Sequence, residues 1–291
     1  MSKAALVPKA LGSDFLGRFR EILQDPLNLL INRVPLAGVV DAAGMVTLHN
    51  GLCVPLTGPD AYYGDFSRIL VANRGVHEPL EELLFQEALR RTPGTGVMLE
   101  LGAYWGHYAM WAQLHHPELH CILVEPDAAR LEVGRRNFAR NQRRGTFMPG
   151  RVGAGELDLD SICDIQGISH VEILHVDIQG AEAHLLANGI GRLRRHAVDL
   201  VFLSTHEQSL HTEAVARLTA LGYSIKAAAD FATDTSSYDG FILAVAPAMA
   251  GQWPDLPLLG RQAICRATPT ELLDYVTKVR AALTPLPLVC G

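Results

Sequence analysis

The stretch Val97-Met-Leu-Glu-Leu-Gly102-Ala-Tyr-Trp-Gly106 decides the fold of this chain. Its first five residues are mostly apolar, as in a buried strand, and a helix-compatible run over residues 108–114 follows its two glycines. This pattern predicts a strand, a tight loop and the start of a helix. Such a unit leaves backbone N–H groups unpaired at the helix N-terminus and lets a ligand approach a backbone without Cβ atoms. We therefore expect a ligand to bind beside Gly102 and Gly106.

The spacing of this loop differs from that of a dinucleotide-binding fingerprint. A G-x-G-x-x-G motif has a middle glycine where this chain has Tyr104, and an acid, Glu100, stands two residues before Gly102. The pattern Glu-x-Gly-x-x-x-Gly resembles motif I of S-adenosylmethionine-dependent methyltransferases, which holds the methionine part of the cofactor. The alternative is a glycine turn that only packs a helix onto a strand.

A second acid stands where a cofactor ribose would be held. Residues 121–125 read as the next buried strand, which ends in Glu125, about 20 residues beyond the glycine loop. Two ribose hydroxyls can both donate to one carboxylate, which explains the preference for an acid at this position. Glu125 is therefore a candidate ribose ligand, either for an adenosine-type cofactor or for NAD.

The rest of the chain continues the alternation of strands and helices. Further strands are predicted over residues 147–152, 171–177, 198–207, 223–228 and 240–246. No helix fits between the last two, so they are expected to form an antiparallel pair. This order predicts an α/β fold with a doubly wound, mostly parallel, seven-stranded Rossmann-like sheet of the class I methyltransferase type, with an antiparallel last strand.

Composition limits the protein class. With 291 residues, of which 48% are hydrophobic and 19% charged, the chain can form one large domain with appendages. A net charge of −6 argues against a dedicated nucleic-acid binder. The five cysteines lack C-x-x-C spacing and suit a reducing cytoplasm. No apolar run approaches the ~20 residues of a membrane span. We therefore expect a cytoplasmic protein that binds neither nucleic acid nor membrane.

Three segments are predicted along the chain. Residues 1–75 combine an amphipathic helical stretch, broken at Pro26, with short strands, and they are expected to form a cap or a dimer element. Residues 76–250 are expected to form the cofactor-binding methyltransferase domain. Residues 251–291 are expected to form a C-terminal extension that contains a terminal helix.

Three motifs together resemble the FkbM family of S-adenosylmethionine-dependent methyltransferases. They are the loop Glu100-Leu-Gly-Ala-Tyr-Trp-Gly106, the pair Glu125-Pro126 followed by Asn137 and Asn141, and the segment Asp177-Ile-Gln-Gly-Ala-Glu182. The chain departs from the family pattern at Tyr104, where asparagine is common, at Gln179, where an acid is common, and at His175, where a lysine is often found.

The resemblance implies methyl transfer from S-adenosylmethionine to a small-molecule acceptor, often a hydroxyl of a sugar or secondary metabolite. The implied cofactor-binding residues are Glu100, Gly102, Ala103, Tyr104, Gly106, Glu125, Pro126 and Asp177. The alternatives are N-methyl transfer, an NAD-dependent oxidoreductase and a catalytically silent cofactor-binding subunit. A homodimer is left open as the assembly.

Asp177 and His206 are the candidate catalytic residues, because each ends a central strand next to where the methyl group must lie. A histidine suits a general base near neutral pH, so His206 is expected to take the proton of the acceptor, while Asp177 orients either the acceptor or the histidine. The alternative for His206 is a capping or buried structural role. A divalent ion such as Mg²⁺ is not expected, although Asp177, Glu182, His206 and Glu207 would be its candidate ligands.

Overall fold

The computed structural model describes residues 13–231 and 239–283. The predictions for residues 1–12 and 284–291 therefore lie outside the described residues. Within the described ranges, none of the helices combines the length and the apolar character needed to cross a membrane.

The N-terminal segment contains short helices and one hairpin. Its elements are α1 (Ser13–Gln24), 3-10 helices at Pro26–Leu29 and Gly64–Arg68, strands β1 (Met45–Thr47) and β2 (Cys53–Pro55), and α2 (Ile69–Ala72). The predicted break at Pro26 is present, because the Asp25 carboxylate accepts the N–H of Leu27 at 2.8 Å and starts a new turn there. The predicted short strands pair antiparallel, with Val46 opposite Val54.

The remainder of the chain alternates strands with helices. The strands are β3 (Val97–Leu101), β4 (His120–Glu125), β5 (Thr146–Pro149), β6 (Val171–Val176), β7 (Val198–Thr205), β8 (Ser224–Ala229) and β9 (Gly240–Val245). The helices are α3 (Pro79–Arg91), α4 (His107–His115), α5 (Ala128–Arg140), α6 (Leu159–Ile165), α7 (Glu182–Leu185), α8 (Gly191–Arg194), α9 (Gln208–Ala220), α10 (Arg261–Arg266) and α11 (Pro269–Ala282), with a 3-10 turn at Ala250–Gln252.

The strands β3 to β9 form one seven-stranded sheet in the order β5-β4-β3-β6-β7-β9-β8. The pairings from β5 to β7 are all parallel, whereas β9 runs antiparallel to both β7 and β8. This confirms the predicted fold class. The strand order reverses between β3 and β6, and in open α/β sheets ligands bind at such a reversal, outside the carboxyl ends of the strands.

Successive strand residues contribute to two separate cores, one on each face of the sheet. On β7, Leu200 and Phe202 belong to the core that includes the N-terminal segment, α3 and α4, while Val201 and Leu203 belong to the core under α6 and α9. This alternation follows from the two-residue period of a strand. It also means that the N-terminal segment shares one continuous core with the sheet.

Two elements are short. α7 ends at Leu185, and Gly189, with a φ of +57°, separates it from α8. The strand predicted over residues 147–152 ends at Pro149, after which Val152 bridges to Leu157.

Candidate active site

The glycine loop packs between the ends of β4 and β6, the two strands that flank β3. The N–H of Gly102 donates to the carbonyl of Val124 on β4 at 2.9 Å. Gly102 has a φ of +79°, and a Cβ built on it would lie 1.8 Å from the carbonyl oxygen of Asp177, which follows β6. Glycine is therefore required here by the packing of the two strand ends against each other. We expected a side chain at residue 102 to occupy cofactor space, but it would first collide with the backbone of Asp177.

Glu100 supports the helix that follows the loop. Its carboxylate is 3% exposed and accepts the N–H of Ala109 in the first turns of α4 at 3.2 Å. Burial raises the pKa of Glu100 to about 7. His175 and the backbone N–H groups of Ala109 and Tyr108 act in the opposite direction. The side chain also lines the main cavity of the site, so it is placed to act on a bound molecule as well as on the helix.

Glu125, the predicted ribose ligand, ends β4 and is held by two backbone N–H groups. One carboxylate oxygen accepts the N–H of Tyr104 at 3.1 Å, and the other accepts the N–H of Asp127 at 3.0 Å. The side chain is 4% exposed, and burial raises its pKa despite these donors. Because a carboxylate oxygen has two lone pairs, each oxygen retains acceptor capacity for a hydroxyl. The neighbouring Pro126 is exposed.

Tyr104 joins the glycine loop to the N-terminal segment. Its φ of +44° is unusual for a residue with a side chain. The ring stacks on Tyr63 with centroids 4.8 Å apart, and its hydroxyl accepts the N–H of Tyr63 at 3.3 Å. The guanidinium of Arg130 lies 4.8 Å from the centre of the Tyr104 ring. A bulky residue at this position therefore fixes part of the N-terminal segment over the loop.

Asp177 and His206, the predicted catalytic pair, are in contact. His206 Nε2 lies 3.1 Å from a carboxylate oxygen of Asp177, and His206 Nδ1 lies 3.1 Å from Glu182. Burial lowers the pKa of His206, but the two carboxylates outweigh it and raise the pKa to about 11. The imidazole is therefore a cation at neutral pH. For the acid Asp177, burial has the opposite effect and raises the pKa. The contact with His206 outweighs burial, so the pKa of Asp177 is lowered on balance.

Glu182 organises the turn that follows β6. Its two carboxylate oxygens accept the N–H groups of Ile178 at 3.3 Å and Gly180 at 2.8 Å. Three of the four candidate ligands for a metal, Asp177, Glu182 and His206, have donor atoms within 4.8 Å of one another. Glu207, the fourth, instead accepts the hydroxyl of Ser209 at 2.8 Å.

A cavity of about 330 Å³ connects the glycine loop with the Asp177–His206 pair. Gly102, Ala103 and Tyr104 line it on one side. The N-terminal segment contributes further lining residues, namely Arg18, Tyr62 and Tyr63. The cavity therefore has walls from both the sheet and the segment that precedes it. Three other predicted cofactor-binding residues, Gly106, Glu125 and Pro126, are not among the lining residues. Gly106 instead starts α4 with a φ of +76°.

Sequence reasoning missed Asp239, which also lines this cavity. Thr205 on β7 pairs with Gly240 on β9, so the antiparallel register brings Asp239 next to His206. Burial raises the pKa of Asp239 to about 6, although Arg18 and His206 oppose this. The signal in the sequence was an acid directly before the last strand. This position indicates a site residue only when β9 is known to run antiparallel to β7.

Residues 133–225 match the sequence model of the family described as Methyltransferase FkbM domain. Within this range the chain is similar to methyltransferase FkbM domains. The match confirms the family that the motifs suggested, and with it a methyltransferase that uses S-adenosylmethionine. Asp177, Glu182 and His206 lie inside the matched range, whereas the glycine loop and Glu125 precede it. No curated protein sequence matches the chain.

Solved structures similar to this chain include several methyltransferases. Precorrin-6y C5,15-methyltransferase from Geobacter metallireducens GS-15 is 16% identical, with 56% of this chain and 87% of that chain covered and a TM-score of 0.41. M. capricolum TrmK in complex with S-adenosyl-homocysteine is 10% identical, with 69% and 96% covered and a TM-score of 0.43. Aeropyrum pernix fibrillarin with bound S-adenosyl-L-methionine is 14% identical, with 56% and 74% covered and a TM-score of 0.40.

Residues at the ends of β3, β4 and β6 offer groups that fit the cofactor. Glu125 retains acceptor capacity for a ribose, although it does not line the cavity. The cavity itself reaches Gly102 and Asp177, where the methionine end is predicted to lie. Carboxyl groups of Glu100 and Asp177 line this end and are suited to a cationic ligand.

Proposed function

We propose that this protein transfers a methyl group from S-adenosylmethionine to a hydroxyl of a sugar or secondary metabolite. One observation carries the proposal: the cavity beside the glycine loop extends to Asp177, His206 and Asp239. An acceptor in this cavity would meet both the methyl donor and a set of proton-accepting groups. The tyrosines, histidines and carboxyl groups of its wall suit a polar, hydroxyl-bearing molecule.

S-adenosylmethionine supplies a methyl group on a sulfonium, which is already activated for transfer. The chain has to hold the acceptor oxygen in line and remove its proton. The carboxylate of Asp177 accepts a hydrogen bond from a second hydroxyl of the acceptor and so orients the reacting oxygen, whose own proton stays available for removal. The Asp177 carboxylate is itself fixed by the imidazolium of His206, which Glu182 holds from the other side.

In this proposal, Asp239 removes the proton of the acceptor hydroxyl. His206 was expected to be the base, but a group with a pKa of about 11 keeps its own proton at neutral pH. Asp239 lies beside His206 and has a pKa of about 6, so it is ionised at neutral pH and basic enough to accept a proton as the methyl group is transferred. His206 thus acts as a fixed positive charge between the carboxyl groups of the cavity.

The acidic wall favours a second candidate, methyl transfer to an amine. Glu78, Glu81 and Asp239 line the cavity in addition to Glu100 and Asp177, and Arg18 is the guanidinium among the lining residues. Such a wall would attract an ammonium group, which would have to lose a proton before transfer. A pair of acceptors that differ only in a hydroxyl or an amino group distinguishes the two reactions.

Calorimetry with the cofactor product and with NAD is the first test of the proposal. We expect S-adenosylhomocysteine to bind and NAD not to bind. Turnover is then followed by the formation of S-adenosylhomocysteine in the presence of pooled hydroxylated metabolites. Binding without turnover of any acceptor would favour a silent cofactor-binding subunit. Binding of NAD alone would refute the proposal.

Chelation tests the metal alternative at Asp177, Glu182 and His206. If these residues hold a hard ion, a chelator abolishes turnover and added Mg²⁺ restores it, because the ion would stabilise the oxyanion of the acceptor. If they form the ion pair described above, turnover does not depend on Mg²⁺.

A further inference from the structure

Three histidines surround one glutamate between the N-terminal segment and the cofactor-binding domain. Glu82 on α3 is 0% exposed, and His49, His77 and His107 are each 1% exposed. We refer to these four residues as the histidine cluster. It does not include the Asp177–His206 pair. His77 and His107 also line the cavity of the candidate active site, but the proposed methyl transfer assigns no step to any member of the cluster.

His49 is oriented as a metal ligand would be. Its Nδ1 lies 3.3 Å from the carbonyl oxygen of Asn32, and its Nε2 lies 2.9 Å from an oxygen of Glu82. When Nδ1–H donates to the carbonyl, Nε2 carries a lone pair. A backbone carbonyl on the far nitrogen is the usual partner that fixes the tautomer of a metal-binding histidine. The contact with Glu82 does not have the alignment of a hydrogen bond.

Glu82 is held through one oxygen and presents the other. Its Oε1 accepts the backbone N–H groups of His77 at 2.8 Å and Glu78 at 3.0 Å, and His77 Nδ1 lies 2.7 Å from the same oxygen. Its Oε2 faces His49 and has no hydrogen-bond partner within residues 13–231 and 239–283. The carboxylate is thus oriented, while Oε2 remains able to bind a cation.

His107 supplies the observation that points to a ligand. Both of its ring nitrogens are buried, and neither has a hydrogen-bond partner in the part of the chain that the structure describes. The ring is fixed by stacking on Trp105, with centroids 5.1 Å apart, and by an edge contact with His77 at 4.9 Å. Buried polar groups without a partner are rare and call for an explanation such as a bound ion.

We propose that His49, Glu82 and His107 bind a divalent transition metal such as Zn²⁺. Their donor atoms lie within 4.8 Å of one another. Two imidazoles and one carboxylate form a ligand set known from zinc sites, with a fourth position left for water or another ligand. His77 is the orienting neighbour of Glu82. The metal ties the turn at residue 49 to α3 and α4, and so joins the N-terminal segment to the cofactor-binding domain.

Metal titration of the whole protein tests this proposal. The protein is stripped with a chelator, dialysed, and titrated with Zn²⁺ by calorimetry and with Co²⁺ by visible absorption. We expect one equivalent of metal to bind and the melting temperature to rise. His107→Ala and His49→Ala should each weaken Zn²⁺ binding by about tenfold to a hundredfold. The matched controls are His120→Ala, at an exposed histidine, and His206→Ala, in the other candidate group.

The outcome at His206 separates the two candidate groups. Metal binding that is lost in His206→Ala and retained in His107→Ala would overturn the proposal, and so would the absence of binding to the parent protein. If the His107 and His49 variants do not fold, crystals of the parent protein grown with Zn²⁺ decide the question. An anomalous peak at the zinc edge is then required between Glu82 and His107. Its absence there refutes the site.

Discussion

The backbone of Gly102 lies against the carbonyl oxygen of Asp177, so that a Cβ on residue 102 would be 1.8 Å from that oxygen. In addition, the N–H of Asp177 donates to the carbonyl of Leu101 at 2.9 Å. The loop proposed to hold the cofactor and the residue proposed to orient the acceptor are therefore one packed unit. A change at either strand end is expected to move the other.

Gly102→Ala should destabilise the protein and weaken cofactor binding together. The substitution places a Cβ in a left-handed conformation, which costs about 1–2 kcal/mol, and the collision with Asp177 adds to that. We expect the free energy of unfolding in urea to fall by about 2 kcal/mol or more. Gly153→Ala is the control, because a Cβ there meets nothing within 4 Å. Equal stability of the two variants would contradict this account.

Glu125→Ala should weaken binding of S-adenosylhomocysteine. The variant removes the carboxylate proposed to accept from the ribose, an effect on the order of 1.5–3 kcal/mol or roughly tenfold to a hundredfold in affinity. Calorimetry measures it directly. Glu132→Ala, on an exposed face of α5, should leave the affinity unchanged. An unaltered affinity in Glu125→Ala would remove Glu125 from the cofactor site.

His206 should remain protonated across neutral pH. Its pKa is raised to about 11, so the ring signals in NMR should not titrate between pH 6 and 9. Because the folded pKa exceeds the unfolded value of about 6.5, the stabilisation by this charge is complete below pH 6.5 and is lost as the pH rises through about 11. A titration near pH 6.5 would instead restore His206 as the candidate base.

Asp239→Asn should lower turnover by roughly a hundredfold to ten-thousandfold while cofactor affinity holds. With an identified acceptor, turnover of the parent protein should rise with pH through about 6, because only the ionised carboxylate accepts a proton. The variant should lose this dependence. If it keeps both the rate and the pH profile of the parent, another group removes the proton.

Arg18→Ala tests the proposed role of the N-terminal segment in acceptor binding. Deletion of the segment would remove residues of the shared core such as Val46 and Leu48, so a point substitution is the cleaner experiment. Arg18 lines the cavity, and its loss should raise the KM for the acceptor roughly tenfold while the affinity for S-adenosylhomocysteine holds. Arg20→Ala, at an exposed arginine of α1, is the matched control. An unchanged KM for the acceptor in Arg18→Ala would show that this part of the N-terminal segment does not contribute to acceptor binding.

Local sequence signals predicted the parts of the site that lie on consecutive elements. The acid and glycines of residues 100–106 predicted the loop, and the spacing to Glu125 predicted an acid beside it, since each signal lies within one strand and its following turn. The placement of Asp177 and His206 at the same edge of the sheet was also predictable, because the carboxyl ends of parallel strands share one edge.

Contacts that depend on distant parts of the chain were not predictable in the same way. The pKa of His206 depends on the contact between its second ring nitrogen and Glu182. No spacing in the sequence specifies that contact. The approach of Arg18 to the cavity depends on how the N-terminal segment packs. The buried arrangement of His49, Glu82 and His107 likewise joins three separate elements, none of which carries a recognisable ligand spacing.

The reversed direction of β9 has an evolutionary consequence. In an all-parallel sheet, the residue before a strand lies at the edge away from the ligand, but here Gly240 pairs with Thr205 and the residue before β9 reaches the reactive edge. Position 239 therefore reaches the reactive edge from outside the motifs proposed to hold the methyl donor. Chains with this topology can differ around the start of the inverted strand, and so in the acceptor that they take, without any change in those motifs.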